Sequence, residues 1–90
     1  MTIETDDIVS DVRSIVAAHG QLSIETAGLG DDEDLFKAGM SSHATVAVML
    51  ALESHFDIEF PDRMLRRSTF ESVSSIRAAV GELLSNPVSG

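Results

Sequence analysis

The sequence contains no cysteine. This absence excludes a disulfide-stapled scaffold, a thiolate metal site and a cysteine nucleophile. Any thiol chemistry in which the protein takes part must therefore be supplied by another molecule.

Basic residues are scarce as well. Six lysines and arginines stand against fifteen aspartates and glutamates, which gives a formal net charge of −9. A field of this sign repels nucleic acid backbones and anionic lipid surfaces, so we expect neither a nucleic acid partner nor a membrane partner. A basic surface on a partner protein would instead be attracted.

A long apolar run is also missing. No stretch approaches the length of a membrane span, and residues 1–7 are acidic and lack the apolar segment of a secretion signal. These features predict a cytoplasmic protein. A chain of 90 residues buries only one modest core, which favours a monomeric carrier, adaptor or binding protein over an enzyme with an enclosed active site.

The first predicted helix covers residues 6–18, where apolar side chains recur at helical spacing. His19 and Gly20 are expected to end it, with the glycine in the left-handed conformation. Residues 20–41 show no sustained period and are predicted to form a long ordered loop, with one helical turn at residues 34–37. A loop of this length in a compact domain is usually functional.

The second predicted helix covers residues 42–56 and is apolar over much of its circumference. Val46, Met49 and Leu50 lie at positions i, i+3 and i+4 and form an apolar stripe. Further apolar residues extend and widen it: Leu52, Phe56, Ala47, Val48 and Ala51. Such a helix is typical of the centre of a bundle, so we expect the core to be organised around it.

Two further helices are predicted. Pro61 suits a first helical position, so residues 61–67 are expected to form a short third helix. The segment from Ser68 to Glu71 has the spacing of a capping box and is expected to start a fourth helix. The inward positions of that helix are Val73, Ile76, Val80 and Leu83.

These elements predict an all-α protein, a four-helix bundle with a long first loop and a short third helix. Residues 1–85 are expected to form one domain, and residues 86–90 a flexible tail. The acidic run at residues 31–34 lacks the spaced ligands and glycine of a calcium loop, so we expect a solvated acidic loop and no metal site.

The amino end of the second helix carries the most distinctive pattern. Ser42 follows a short turn that contains Gly39, at the position where backbone N–H groups are unpaired and the helix dipole favours negative charge. A phosphate ester on this serine would be electrostatically tolerated. Serine is also a preferred cap, and capping alone would explain one residue of the pair Ser41 and Ser42.

Phe36, Gly39 and Ser42, together with residues 45–62, resemble the acyl carrier and peptidyl carrier protein family. The resemblance implies an acyl-carrier-type bundle whose serine receives phosphopantetheine from coenzyme A through a phosphopantetheinyl transferase. The terminal thiol of this arm then carries a cargo as a thioester, and the protein itself is not a catalyst. Ser42 is the matching position, which leaves Ser41 as the cap.

Both flanks of Ser42 depart from the family pattern, in which aspartate or histidine usually precedes the serine and leucine follows it. Here the neighbours are Ser41 and His43. The departure leaves the nucleophilic hydroxyl in place and puts in doubt which transferase recognises the protein.

The segment 38–42, the free-standing length and three arginines resemble bacterial aminoacyl carrier proteins. This resemblance implies charging by an ATP-dependent aminoacyl carrier-protein ligase related to class II synthetases, followed by a downstream acceptor enzyme. Two alternatives remain: a carrier for fatty-acid or polyketide synthesis, and an unmodified carrier-like interaction module. The first is weakened because Glu53 is the only acid within the second helix.

A partner-binding surface is expected around the serine. Arg63, Arg66 and Arg67 lie at i, i+3 and i+4 on the predicted third helix and would share one face, although arginines near a helix end also complement its dipole. His43 is either a contact to the arm or a partner, or simply an exposed first-turn residue. The full predicted set is Met40, Ser41, His43, Val46, Arg63, Arg66 and Arg67.

Overall fold

The structure is a computed structural model that describes residues 5–22 and 28–85, and the side chains of the first helix from residue 8 onward. The predicted tail at residues 86–90 lies outside this description. The described residues form four α-helices, α1 (Thr5–His19), α2 (Ser42–Phe56), α3 (Arg67–Phe70) and α4 (Val73–Ser85), with a 3₁₀ turn at Asp62–Met64. The all-α bundle with a long first loop and a short third helix is confirmed.

Helix α1 packs against both α2 and α4, and α3 packs against α4. The predicted apolar positions of α1 and α4 are confirmed as core positions. The buried side chains of these two helices are Ile8, Val12, Ile15, Val16, Val73, Ile76, Ala79, Val80 and Leu83. None of the described helices has the length and apolar character needed to cross a membrane.

Helix α2 has the predicted bounds, but only part of its predicted apolar surface is buried. Ala44, Val48 and Leu52 are buried, whereas Val46 and Leu50 are 51% and 55% exposed. Since this helix is apolar on nearly all sides, hydrophobic spacing alone does not select the side that meets its neighbours. The packing of α1 against α2 makes that selection.

The end of α1 depends on glycine for a different reason from the predicted one. Gly20 donates its N–H to Val16 O at 2.7 Å, and the left-handed residue is Gln21, with φ 53°. A Cβ atom on Gly20 would lie 2.6 Å from Val16 O, closer than side-chain carbons come to a carbonyl. Glycine is therefore needed for close approach of the chain and not for a left-handed backbone.

The predicted third helix at residues 61–67 is wrong. Pro61 precedes the 3₁₀ turn, Leu65 leaves helical conformation with ψ 67°, and a separate helix begins at Arg67. Met64 and Phe70 are both buried, and a continuous helix would place them on different sides. The break lets both side chains enter one core.

The predicted capping box at Ser68 to Glu71 is also wrong. Helix α4 begins at Val73, and Ser72 supplies the cap: its Oγ accepts from Ser75 N at 3.0 Å, and Ser75 Oγ accepts from Ser72 N at 3.1 Å. A second serine thus performs the return contact that glutamate usually makes. In the sequence, two serines three residues apart indicate a helix start less clearly than a serine followed by a glutamate does.

The long loop is tied to the bundle by specific bonds. Asp31, predicted to be simply solvated, accepts from Arg13 Nη2 at 2.5 Å, and the same nitrogen donates to Leu29 O at 2.6 Å. Leu35 N donates to Glu71 O at 2.7 Å, which holds the loop against the start of α4. Within residues 5–22 and 28–85, no group of three or more His, Asp or Glu side chains is placed to hold a metal ion.

Candidate functional site

The segment before α2 folds into a single capped turn, as predicted for residues 34–37. Asp34 Oδ1 accepts from Phe36 N at 2.8 Å and from Lys37 N at 3.2 Å, and Asp34 O accepts from Ala38 N at 3.1 Å. An aspartate that satisfies the first free N–H groups is the usual way to start such a turn. Asp34 is therefore a structural residue and not a solvated charge.

A second pair of bonds closes the turn. Gly39 N donates to Phe36 O at 3.1 Å and Met40 N donates to Leu35 O at 3.0 Å, which is the bonding pattern of a Schellman motif. Gly39 has φ 116°, a conformation in which glycine avoids the clash of a side chain. Met40, expected on a partner surface, is 3% exposed and contributes to the core.

Ser41 caps α2, as predicted. Its backbone is extended, with φ −83° and ψ 169°, and its Oγ accepts from Ala44 N at 3.0 Å. Its carbonyl oxygen accepts from Thr45 N at 2.9 Å and from Thr45 Oγ1 at 2.8 Å. The hydroxyl and carbonyl of Ser41 are thus both engaged in holding the helix start.

Ser42 is the first residue of α2 and its side chain is exposed. Its hydroxyl has no hydrogen-bond partner among the described residues. The two serines of the pair therefore differ: Ser41 is committed to the helix, and Ser42 presents a free hydroxyl at the positive end of the helix dipole. His43, the next residue, is also exposed.

A groove of about 380 Å³ opens beside Ser42. It lies between α2, the turn before α2 and the segment that leads into α3. The residues that line it are Phe36, Ser42, Thr45, Val46, Met49, Leu65, Arg66, Arg67 and Phe70. Most of these side chains are apolar, and Leu65 and Val46 are among the exposed large apolar residues of the protein.

The three arginines do not share one face, contrary to the prediction. Arg63 lies on the 3₁₀ turn and its Nη2 contacts Glu82 Oε2 on α4 at 2.7 Å. Arg66 and Arg67 line the groove beside Ser42, and the guanidinium of Arg67 lies 4.2 Å above the ring of Phe36. The break after the 3₁₀ turn separates them, because no continuous helix carries all three.

The structure therefore gathers Ser42, Val46, Arg66 and Arg67 around one groove and leaves Arg63 elsewhere. The predicted site did not include the groove itself or five of its lining residues: Phe36, Thr45, Met49, Leu65 and Phe70. One signal in the sequence was available. Leu65 is directly followed by two arginines, which are seldom buried, so this leucine could have been predicted to be exposed.

Comparison with known proteins identifies the family. Residues 10–85 match the family model described as the phosphopantetheine attachment site. The chain belongs to this family of carrier proteins. Members hold a cargo on covalently attached phosphopantetheine and are not themselves catalysts.

Two similar carrier proteins come from bacteria. The chain is 44% identical over 73 residues to an aminoacyl carrier protein of Agrobacterium fabrum, which covers 81% of this chain and 88% of that protein. It is 36% identical over 78 residues to a D-alanyl carrier protein of Streptococcus mutans, with 86% and 95% covered. The predicted resemblance to carrier proteins is confirmed.

A solved structure agrees in fold. It is a crystal structure of an engineered Bradyrhizobium japonicum glycine:[carrier protein] ligase complexed with a carrier protein from Agrobacterium tumefaciens and AMP. The matched chain is 42% identical with a TM-score of 0.78, and the match covers 81% of this chain and 97% of that chain.

The residues at the helix start fit the carrier cofactor. Phosphopantetheine needs an accessible hydroxyl to which its phosphate is joined, and Ser42 offers one without a competing bond. The phosphodiester would lie at the amino end of α2 and near two arginines that line the same groove. In a chain of net charge −9 these features supply the local positive potential that a phosphate requires.

Proposed function

We propose that Ser42 is the residue to which phosphopantetheine is attached and that the protein carries an aminoacyl group. The arm supplies the thiol that the cysteine-free chain lacks, on which the cargo is held as a thioester. The observation that carries the assignment is the difference within the serine pair. Ser41 Oγ is bonded to Ala44 N at 3.0 Å, while the exposed Ser42 has no such bond among the described residues.

The chain provides the acceptor hydroxyl and little else for the attachment reaction. No described residue forms a hydrogen bond with the Ser42 side chain, and His43 is its neighbour on the helix, where adjacent residues do not face each other. The base that takes the hydroxyl proton therefore belongs to the phosphopantetheinyl transferase. The unusual flanks Ser41 and His43 are the residues through which a particular transferase would distinguish this protein.

An amino acid is the cargo that the relatives support best. Both curated relatives are named for amino acid cargo, one aminoacyl and one D-alanyl, and a structural relative is crystallised with a glycine:[carrier protein] ligase and AMP. By this likeness an ATP-dependent ligase charges the arm and a downstream enzyme accepts the aminoacyl group. Charging of this kind requires a supply of ATP, which supports a cytoplasmic location.

Attachment is tested by intact mass after incubation with coenzyme A and a broad-specificity phosphopantetheinyl transferase. We expect one phosphopantetheine adduct on the unmodified sequence and on Ser41→Ala, and none on Ser42→Ala. If no transferase adds the group to any of the three proteins, the carrier assignment is wrong and the chain is an interaction module.

Cargo is tested with the modified protein. A glycine:[carrier protein] ligase with ATP and a panel of amino acids is compared with malonyl and fatty acyl transfer onto the same arm. We expect thioester formation with at least one amino acid. Efficient loading of malonyl or fatty acyl groups alone would replace the aminoacyl proposal with the fatty-acid or polyketide alternative and leave the attachment site unchanged.

A further inference from the structure

The groove beside Ser42 combines apolar walls with positive charge. Phe36, Met49, Leu65 and Phe70 are among its lining residues, together with Arg66 and Arg67, and no aspartate or glutamate of the described residues lines it. The chain as a whole is strongly acidic, with a net charge of −9. The groove is therefore a local exception to the sign of the protein's charge.

The position of one of the two cations is fixed by its surroundings. The guanidinium of Arg67 lies 4.2 Å above the ring of Phe36, a distance at which a cation is attracted to an aromatic face. Phe36 in turn is held by its N–H bond to Asp34 Oδ1 at 2.8 Å. Arg67 is thus kept at the groove wall and does not swing freely into solvent.

Arg66 adds a second charge at the same wall. Its backbone is extended and precedes α3, its side chain is exposed, and it forms no ion pair with the described residues. Arginine remains protonated at every physiological pH. The groove therefore carries two permanent positive charges with no carboxylate in its lining, and the single negative charge of the arm's phosphodiester would offset one of them.

The interaction of the groove with the end of a flexible arm depends on the charge of that end. Methylene groups and a neutral thiol gain by leaving water for apolar walls. An ammonium group would lose its hydration there and would also be repelled by the positive charge that the phosphodiester leaves uncompensated. An ammonium outside the groove instead meets the acidic field of the rest of the chain.

We propose that the groove, through Arg66 and Arg67, sorts the states of the arm by charge: it binds an uncharged end of the arm and repels an ammonium. When the arm on Ser42 ends in a free thiol or an uncharged acyl group, it rests in the groove. When it ends in an aminoacyl group, the α-ammonium keeps it out, so the loaded arm is exposed to the acceptor enzyme. This inference rests on the proposed attachment at Ser42 and concerns a property of the groove that attachment alone does not require.

The test compares two cargoes that differ in one group. Glycyl and propionyl groups have the same shape, with an ammonium in the first where the second has a methyl. Both are installed on Ser42 from coenzyme A derivatives by the transferase, with the thioester sulfur replaced by NH to prevent hydrolysis. Methyl NMR spectra of Val46, Met49 and Leu65 are then recorded at about pH 6, where the α-amino group is protonated.

We expect the propionyl form and the free-thiol form to shift the groove methyl signals relative to the unmodified protein, and to give contacts between arm and Met49. The glycyl form should shift them at most a third as much. Arg66→Gln should bring the glycyl form to at least half of the propionyl shift. Arg63→Gln, which changes the net charge equally but lies outside the groove, should leave the difference unchanged.

The outcomes separate this inference from the function on which it rests. Equal shifts from glycyl and propionyl forms, or no shift from either, overturn the charge sorting while the adduct on Ser42 still supports the carrier function. Equal recovery in Arg66→Gln and Arg63→Gln would show an effect of net charge and would also overturn it. Absence of any adduct on Ser42 overturns the proposed function and this inference together.

Discussion

Helix α2 has two faces that are equally apolar in sequence and opposite in use. One face presents Ala44, Val48 and Leu52 to the core, and each is at most 1% exposed. The other presents Val46 and Leu50, both more than half exposed, with Val46 on the wall of the groove beside Ser42. The first face holds the bundle together, and under the proposed function the second is the one that meets the arm and partner enzymes.

The comparison explains how the central helix can expose apolar residues without loss of stability. A buried leucine contributes about 1.5–3 kcal/mol by leaving water, so one face of α2 is enough to anchor the helix against its neighbours. Apolar residues on the opposite face add little to folding and are available for recognition. On this account one face of α2 provides stability and the opposite face provides function.

The largest expected effect separates the two faces by stability. Leu52→Ala should lower the free energy of unfolding by about 2–5 kcal/mol, because it leaves a cavity in the packed core. Leu50→Ala removes the same atoms from an exposed position and should change that free energy by less than about 0.5 kcal/mol. Urea denaturation followed by circular dichroism measures both. Similar losses in the two variants would show that both faces contribute equally to stability.

The exposed face should respond in function. Val46→Asp places a charge at the groove wall and should lower the kcat/KM of aminoacyl charging by about tenfold or more, equivalent to about 1.4 kcal/mol, without a matching loss of stability. Leu84→Asp introduces the same charge at an exposed apolar residue of α4, away from the groove, and should leave charging unchanged. Unchanged charging of the Val46 variant would remove this residue from the proposed partner surface.

The two serines should each affect a different assay, with a smaller change in stability than at Leu52. Ser41→Ala removes the bond to Ala44 N and should cost about 1 kcal/mol of unfolding free energy while it retains the phosphopantetheine adduct. Ser42→Ala should leave thermal stability nearly unchanged and abolish the adduct. A Ser42 variant as destabilised as the Ser41 variant would mean that both hydroxyls support the helix.

The smallest expected effect lies at the groove arginines. Arg67→Gln loses the contact with the Phe36 ring and should lower the free energy of unfolding by about 0.5–1 kcal/mol. Arg66→Gln breaks no ion pair with the described residues and should fall within about 0.5 kcal/mol of the parent protein. Equal values for the two variants would show that Arg67 is not held by the ring.

Local signals predicted the parts of the fold that are governed by local chemistry. The bounds of α2 follow from the serine pair at one end and from Phe56 and Asp57 at the other, where Asp57 takes a left-handed conformation with φ 55°. The inward side of α4 follows from one clear stripe ending at Leu83. In both cases the local signals agree with the packing of the rest of the fold.

The sequence did not predict features that depend on contacts distant in the chain. Which side of α2 is buried depends on α1, and the break between Met64 and Phe70 depends on the core that both side chains reach. The groove depends on the turn at Phe36 meeting Arg67, since these residues lie far apart in sequence. The position of Ser42 at the start of α2 was predictable because the signals that set it are local.

The most direct test of the account is the location of the adduct within the serine pair. The protein is modified with coenzyme A and a phosphopantetheinyl transferase, digested, and the peptide that contains both serines is fragmented by tandem mass spectrometry. The account predicts phosphopantetheine on Ser42 with Ser41 unmodified. Phosphopantetheine on Ser41, or on any residue other than Ser42, would contradict it.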